Sequence, residues 1–338
     1  MSTHSTNHRL LVFDCHEAWV YQLHLLEQPM DVIVGLKGRH TTGWDAAIRP
    51  VPPNARIVEL PEALAAEEPY DCIIAHNLTD LLDVKALCGP RLFVVHETLD
   101  GIVLEQASTS PPDEVRRTVA RYLQVVGAHV MSVSRLKASS WALDGDIVPL
   151  SADSADYLPY RGDLARGLRI ANHIHRRART LRWDFHERAF ARIPITLVGH
   201  NDDMPGVYAA RDWAELKQTL SRHRFFVHTA DPQLEDGYNM ATLEAMAAGL
   251  PVLGNRHPTS PIVHGVSGFL SDDPEEIRGF AQRLLEERDL AVQMGREAQK
   301  TVIQKFSPEK FKNGVQGAIE TARQKWLAHQ DSGAISKI

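Results

Sequence analysis

The chain has 338 residues, is 43% hydrophobic and 24% charged, and carries a net charge of -6. That length suits two domains of roughly 150 residues each. The acidic balance argues against a dedicated nucleic-acid binder, and no apolar run approaches the ~20 residues that cross a bilayer. Cys15, Cys72 and Cys88 show neither disulfide nor zinc spacing, so a reduced, cytoplasmic setting is the economical expectation. The opening MSTHSTNHR is polar and shows no leader segment.

In chain order, short apolar runs alternate with amphipathic stretches, which predicts a parallel sheet wrapped by helices. Strands are predicted at residues 10–14, 31–36, 56–60, 71–76, 92–96 and 129–133, with helices between them, for example at 18–26 and 112–126. Runs such as LLVF, VIVGL and LFVV fit strands buried on both faces. Residues 149–162 are polar and turn-rich and read as a linker. Beyond it, strands are predicted at 167–171, 195–198, 225–229 and 251–254. Asp273-Pro274-Glu275-Glu276 and Ser307-Pro308-Glu309 each start a helix, with a capping side chain and proline at the first helical position. The last helix is expected to run to about Trp326, leaving a polar tail. Residues 1–150 and 151–306 thus read as two doubly wound domains. Ligands in such sheets bind at the C-terminal ends of the strands, so a cleft between the two is expected.

The most informative stretch is residues 225–254, FFVHTADPQLEDGYNMATLEAMAAGLPVLG. It reads as strand, polar loop, short helix and strand, one compact βαβ unit. Asn239 caps a helix beginning at Met240, Gly249 closes it, and Pro251 prevents its continuation. The N–H groups around Asn239 to Ala241, with the helix dipole, favour a phosphate. Gly237 permits a close backbone approach. Glu244 is placed to accept from a ribose diol, and Asp236 from sugar hydroxyls. A phosphate seat between two carboxylates suits a nucleotide-diphosphate sugar.

Residues 236–252 resemble the retaining GT-B glycosyltransferases, in particular glycosyltransferase family 4. That family has an acid, Gly-Phe-Gly, a few apolar residues and then Leu-Glu-Ala-Met-Ala-x-Gly-x-Pro-Val. Here Asp236-Gly237-Tyr238-Asn239-Met240 is followed by Leu243-Glu244-Ala245-Met246-Ala247-Ala248-Gly249-Leu250-Pro251-Val252. Asp236 stands where the family has Glu, with Glu235 beside it, and Asn239 replaces the second glycine. Fainter likenesses are Asp71-Cys72-Ile73-Ile74-Ala75-His76-Asn77, Val94-Val95-His96-Glu97, Ser132-Val133-Ser134 and the turn Val266-Ser267-Gly268-Phe269-Leu270.

The resemblance implies a GT-B fold of two Rossmann-like, doubly wound domains facing a central cleft. The N-terminal domain takes the acceptor, the C-terminal domain takes the donor, and a helix at about 307–330 crosses back onto the first. It implies His96, Asp236 and Arg177 as catalytic residues. Glu244, Glu235, Gly237, Tyr238, Asn239, Met240, Arg176 and Asn172 are implied at the donor. The family holds its diphosphate with an Arg and a Lys five residues apart. Asn172 falls at the Arg position and Arg177 at the Lys position, and which of Arg176, Arg179 and Arg182 assists stays open. The loop after the first strand, Asp14-Cys15-His16-Glu17-Ala18-Trp19, departs from the family's glycine-rich loop. His16, Glu17 and Glu97 are the acceptor-side candidates.

The expected activity is transfer of a sugar from a nucleotide-diphosphate sugar to an unidentified acceptor (glycan, lipid-linked, protein or small molecule), with retention of configuration. No acidic metal triad is evident, so no metal and no cofactor beyond the co-substrate is expected. Partners exclude nucleic acid, and membrane contact is at most peripheral, at its inner face. Two rivals stay open: an epimerase or phosphorylase on the same fold, and a non-catalytic nucleotide-sugar-binding protein. Neither half shows G-x-G-x-x-G after its first strand, which disfavours a dinucleotide dehydrogenase.

Overall fold

A computed structural model describes residues 9–36 and 43–331. The reading of the polar start concerns residues 1–8, and that of the tail in part 332–338; both lie outside the described residues. The chain divides into two compact units. The first comprises residues 1–99, 109–149 and 309–338, and the second residues 100–108 and 150–308. Residues 100–108 therefore belong with the second unit, although their place in the sequence groups them with the first half.

The first unit contains β1 (Leu10–Phe13), β2 (Met30–Ile33), β3 (Ala55–Val58), β4 (Cys72–Ala75), β5 (Arg91–Val95), β6 (His129–Ser132) and β7 (Asp146–Ile147). Their order is β3-β2-β1-β4-β5-β6-β7, with every pairing parallel. β1, β2, β4 and β5 are buried along their whole length, which is why they read as unbroken apolar runs. Two polar residues interrupt them: Arg91 at the start of β5, 4% exposed, and Asp31 on β2, which is 1% exposed and accepts hydrogen bonds from Arg56 and the Tyr70 hydroxyl. A buried carboxylate persists only when paired in this way. The strand order reverses between β1 and β4, so the sheet's topological switch point lies there.

The last helix, Pro308–Asp331, continues five residues past Trp326 and packs within this unit. Phe311, 1% exposed, sets its ring 6.2 Å from Trp19, and Arg323 pairs with Asp71 at 3.1 Å through Nε. A Cβ at Gly314 would lie 2.8 Å from Val148, so only glycine lets the helix lie so close there.

The second unit contains β8 (Leu164–Ile170), β9 (Ile195–Val198), β10 (His223–Val227), β11 (Val252–Gly254) and β12 (Gly268–Leu270). They form a parallel sheet in the order β12-β11-β10-β8-β9. β12 occupies residues that the sequence reads as a turn. Gly268 allows it, because at φ +158 a Cβ would lie 2.0 Å from the Val252 carbonyl oxygen of the neighbouring strand. Phe185, Phe225, Val227, Leu253, Ile277 and Leu284 form part of the core between sheet and helices. Among the described residues, no helix is long and apolar enough to cross a membrane.

Candidate functional site

The βαβ unit of the second half forms as its sequence dictates. β10 ends at Val227, a loop runs to Asn239, the helix Met240–Ala247 follows, and β11 begins at Val252. Asn239 is extended, at φ -143 and ψ -174, and its side chain accepts from Thr242 N at 2.9 Å. The residue that replaces the family's second glycine is therefore the helix N-cap, and its backbone needs no glycine. At the other end Gly249 takes φ +85 and donates to Met246 O, while Leu250 N donates to Ala245 O. This paired closure satisfies the last carbonyls and turns the chain into β11.

Three acids crowd this loop and helix, and all are buried: Glu235 is 8% exposed, Asp236 2% and Glu244 4%. Glu235 Oε1 accepts from Asp236 N at 2.8 Å, fixing the loop. Its Oε2 lies 3.4 Å from Arg177 Nη2, and Arg177 Nε donates to Glu105 at 3.0 Å. The structure thus brings Arg177, expected at the diphosphate, against an acid of the loop expected to hold the sugar. Tyr238 is buried against Phe306, with ring centroids 5.1 Å apart, while Met240 is half-buried at the start of the helix.

Other expected ligands are placed differently. Asn172 accepts from His200 N at 2.9 Å, tying the loop after β8 to the loop after β9. It stands in the family's Arg position yet serves as a local brace. Arg176 is exposed to solvent. The room that Gly237 leaves is filled by protein: a Cβ there would lie 2.8 Å from the His257 ring, and Gly237 N donates to Thr259 at 2.8 Å.

Three residues that the sequence did not single out belong to this site. Arg169 on β8 is 2% exposed and donates to Thr229 Oγ1 at 2.8 Å and to Leu181 O at 3.1 Å. Burial, reinforced by nearby Arg177, pushes its guanidinium down to about 9. A buried cation so placed contributes positive charge near the C-terminal end of β8. His257 Nδ1 accepts from Thr259 N at 3.1 Å, which puts the ring proton on the buried Nε2. His228 Nε2 donates to the Asp236 carbonyl at 3.2 Å.

Burial pushes the His228 imidazole down to about 4, despite its bond to that carbonyl. Its unfolded value is about 6.5, so the unfolded chain binds the proton first as pH falls. This contribution to stability is intact above pH ~6.5 and declines toward pH 4, by about 1.4 kcal/mol per pH unit. Urea titrations across that range should show a shallower pH slope for His228→Asn than for the parent chain. An unchanged slope would remove His228 as the cause.

In the first unit, His96 follows β5 and lies half-buried beside His76, with Nε2 2.9 Å from His76 Nδ1. Cys15 Sγ is 3.8 Å from the same His96 nitrogen. Trp19 sets its ring edge-on to both imidazoles, at 5.1 Å from His76 and 4.9 Å from His96. Burial pushes His76 down to about 3, and burial with His76, Lys137 and His16 holds His96 well below its usual value. Of the acceptor-side candidates, Glu17 is buried and accepts from Asp45 N at 3.1 Å, whereas His16 and Glu97 are exposed. Asn77 caps the helix Leu78–Asp83 in a reciprocal box with Asp80, which gives that part of the motif a structural role.

Residues 169–311 match the model of a family described as glycosyl transferase-like. No curated protein matches the sequence significantly. Among solved structures, the fold is similar to Alr3699/HepE of Anabaena in complex with UDP-glucose, with a TM-score of 0.65 at 13% identity over 93% of this chain and 99% of that one. It is similar to sucrose-phosphate synthase from Thermosynechococcus elongatus, with a TM-score of 0.66 at 15% identity over 95% of this chain and 99% of that one. A TarM mutant of S. aureus, in complex with Fondaparinux, alpha-GlcNAc-glycerol and UDP, gives 0.56 at 12% identity over 73% of this chain and 55% of that one. The matched family and the two parallel-sheet α/β units, like those of GT-B glycosyltransferases, together support an enzyme of the glycosyltransferase type.

Proposed function

We propose that the protein transfers a sugar from a UDP-sugar to a hydroxyl of a glycan-type acceptor, with retention of configuration and without a metal in the transfer step. One observation carries this reading: three buried acids flank a capped helix N-terminus beside Arg177. Glu244 accepts from the ribose diol, and Asp236 with Glu235 from the sugar hydroxyls. The diphosphate takes Arg177 in exchange for its carboxylate partners and sits on the N-terminus of the helix Met240–Ala247. UDP is chosen because UDP or UDP-glucose is bound in the HepE and TarM structures. Retention and family 4 membership rest on the resemblance of residues 236–252.

In this reaction the leaving diphosphate oxygen accepts the acceptor's proton as the new glycosidic bond forms. The protein then positions both substrates and stabilises charge on the leaving group. Arg177, with the field of buried Arg169 behind it, supplies that stabilisation.

A thermal-shift panel of UDP, GDP, ADP, dTDP and CMP, with and without magnesium, tests the donor site. A ligand at ~100 times its Kd stabilises by about 2.7 kcal/mol, or roughly 5–10 °C for a unit of this size. UDP is expected to give the largest shift, equal with and without magnesium. No shift from any nucleotide would overturn the reading.

A further inference from the structure

We propose that Cys15, His76 and His96 form a binding site for a zinc-type divalent cation at the C-terminal edge of the first sheet. Cys15 comes two residues after β1, His76 directly after β4 and His96 directly after β5. These strands are adjacent, and β1 and β4 flank the switch point, where sheets of this class bind ligands. One ligand atom from each side chain lies within 4.8 Å of the other two.

The measured edges, 3.8 Å from Sγ to His96 Nε2 and 2.9 Å between the imidazole nitrogens, bracket a metal geometry. Tetrahedral zinc, with bonds of about 2.3 Å to sulfur and about 2.0 Å to nitrogen, holds such atoms roughly 3.3–3.6 Å apart. Closing the site therefore takes movements of about an ångström or less. A thiolate with two neutral imidazoles selects zinc over magnesium or calcium, which take oxygen ligands.

The surroundings fit a cation. The carboxylates of Asp14, Asp80 and Glu17 act on Cys15, against the positive charge of Lys137 and His16 toward His96. Trp19 sets its ring edge-on to both imidazoles, at 5.1 Å and 4.9 Å, and fixes their planes from one side. His76 Nδ1 and His96 Nε2 face each other at 2.9 Å, so an ion entering between them would replace that contact. Three protein ligands leave a fourth position for water or a ligand oxygen.

His96 is shared with the expected catalytic set, so the test uses no nucleotide sugar and reads metal binding independently of transfer. The full chain, stripped by a chelator, is titrated with Co2+ as a spectroscopic probe. One equivalent should produce tetrahedral visible bands and a thiolate-to-cobalt charge-transfer band, both bleached by Zn2+. Cys15→Ser should lose the charge-transfer band, and Cys88→Ser should keep it. Absence of the band, or its survival in Cys15→Ser, overturns the proposal. Should Cys15→Ser fail to fold, alkylation of the parent chain gives the same answer. Zn2+ should protect Cys15 but not the exposed Cys88, and equal labelling of Cys15 with and without Zn2+ sinks the site.

Discussion

A Glu244→Ala chain is expected to remain folded and to lose its response to UDP, with transfer falling by two orders of magnitude or more. Glu244 is 4% exposed within the helix Met240–Ala247, so water does not compensate for its removal. Hydrogen bonds to a charged group contribute about 1.5–3 kcal/mol each. Two of them to a ribose diol amount to about 3–6 kcal/mol, on the order of 10²- to 10⁴-fold in affinity. Glu244→Gln keeps the volume and one carbonyl oxygen and should fall between parent and alanine. The nucleotide panel on both variants, with circular dichroism to confirm the fold, measures the effect. A folded Glu244→Ala chain with the parent's UDP shift would show that the ribose is held elsewhere.

The second large effect is on stability, at Gly295. This glycine lies inside the helix Arg288–Lys305, where alanine ordinarily stabilises by up to about 1 kcal/mol. Here the sign reverses. A Cβ at Gly295 would lie 1.8 Å from the Gly249 carbonyl oxygen and 2.8 Å from its carbon, both backbone atoms of the turn that closes the helix Met240–Ala247. Backbone cannot rotate aside as a side chain does, so Gly295→Ala should cost about 3 kcal/mol and lower the midpoint by roughly 6–12 °C. Gly279 provides the control: it lies in the helix Pro274–Glu286, and a Cβ there meets nothing within 4 Å. Gly279→Ala should leave the midpoint level or raised. Equal midpoints for the two variants would show that the helix Met240–Ala247 tolerates displacement.

Most of both sheets is legible in the sequence because parallel strands buried on two faces leave continuous Val, Ile and Leu runs. β7 escapes that signal because two residues, Asp146 and Ile147, have no periodicity to read. β12 escapes because Gly268 and its neighbours look like turn residues until Val252 is seen beside them. At the candidate site, residues 236–252 are legible because their cap, helix and closing glycine act on near neighbours. Arg169 and Thr229 meet across 60 residues, and no spacing rule foretells that contact. Cys15 and His96 stand 81 residues apart and His76 and His96 20 apart, so cysteine spacing alone sees no metal-ligand pattern in them. Asn172 shows the converse: its position in the motif says nothing of the hydrogen bond that its oxygen accepts from His200 N, 28 residues away.

The return of the final helix to the first unit also orders events during synthesis. Residues 150–308 and 100–108, the whole second unit, leave the ribosome before Phe311, Arg323 and Trp326 exist to complete the first. At about 5–20 residues per second, roughly 10–40 s separate Pro149 from the end of that helix. During that interval Trp19 and Asp71 lack the partners that later cover and pair them. The half made first is thus the half finished last, and its unfinished surface is what a chaperone would meet on the nascent chain.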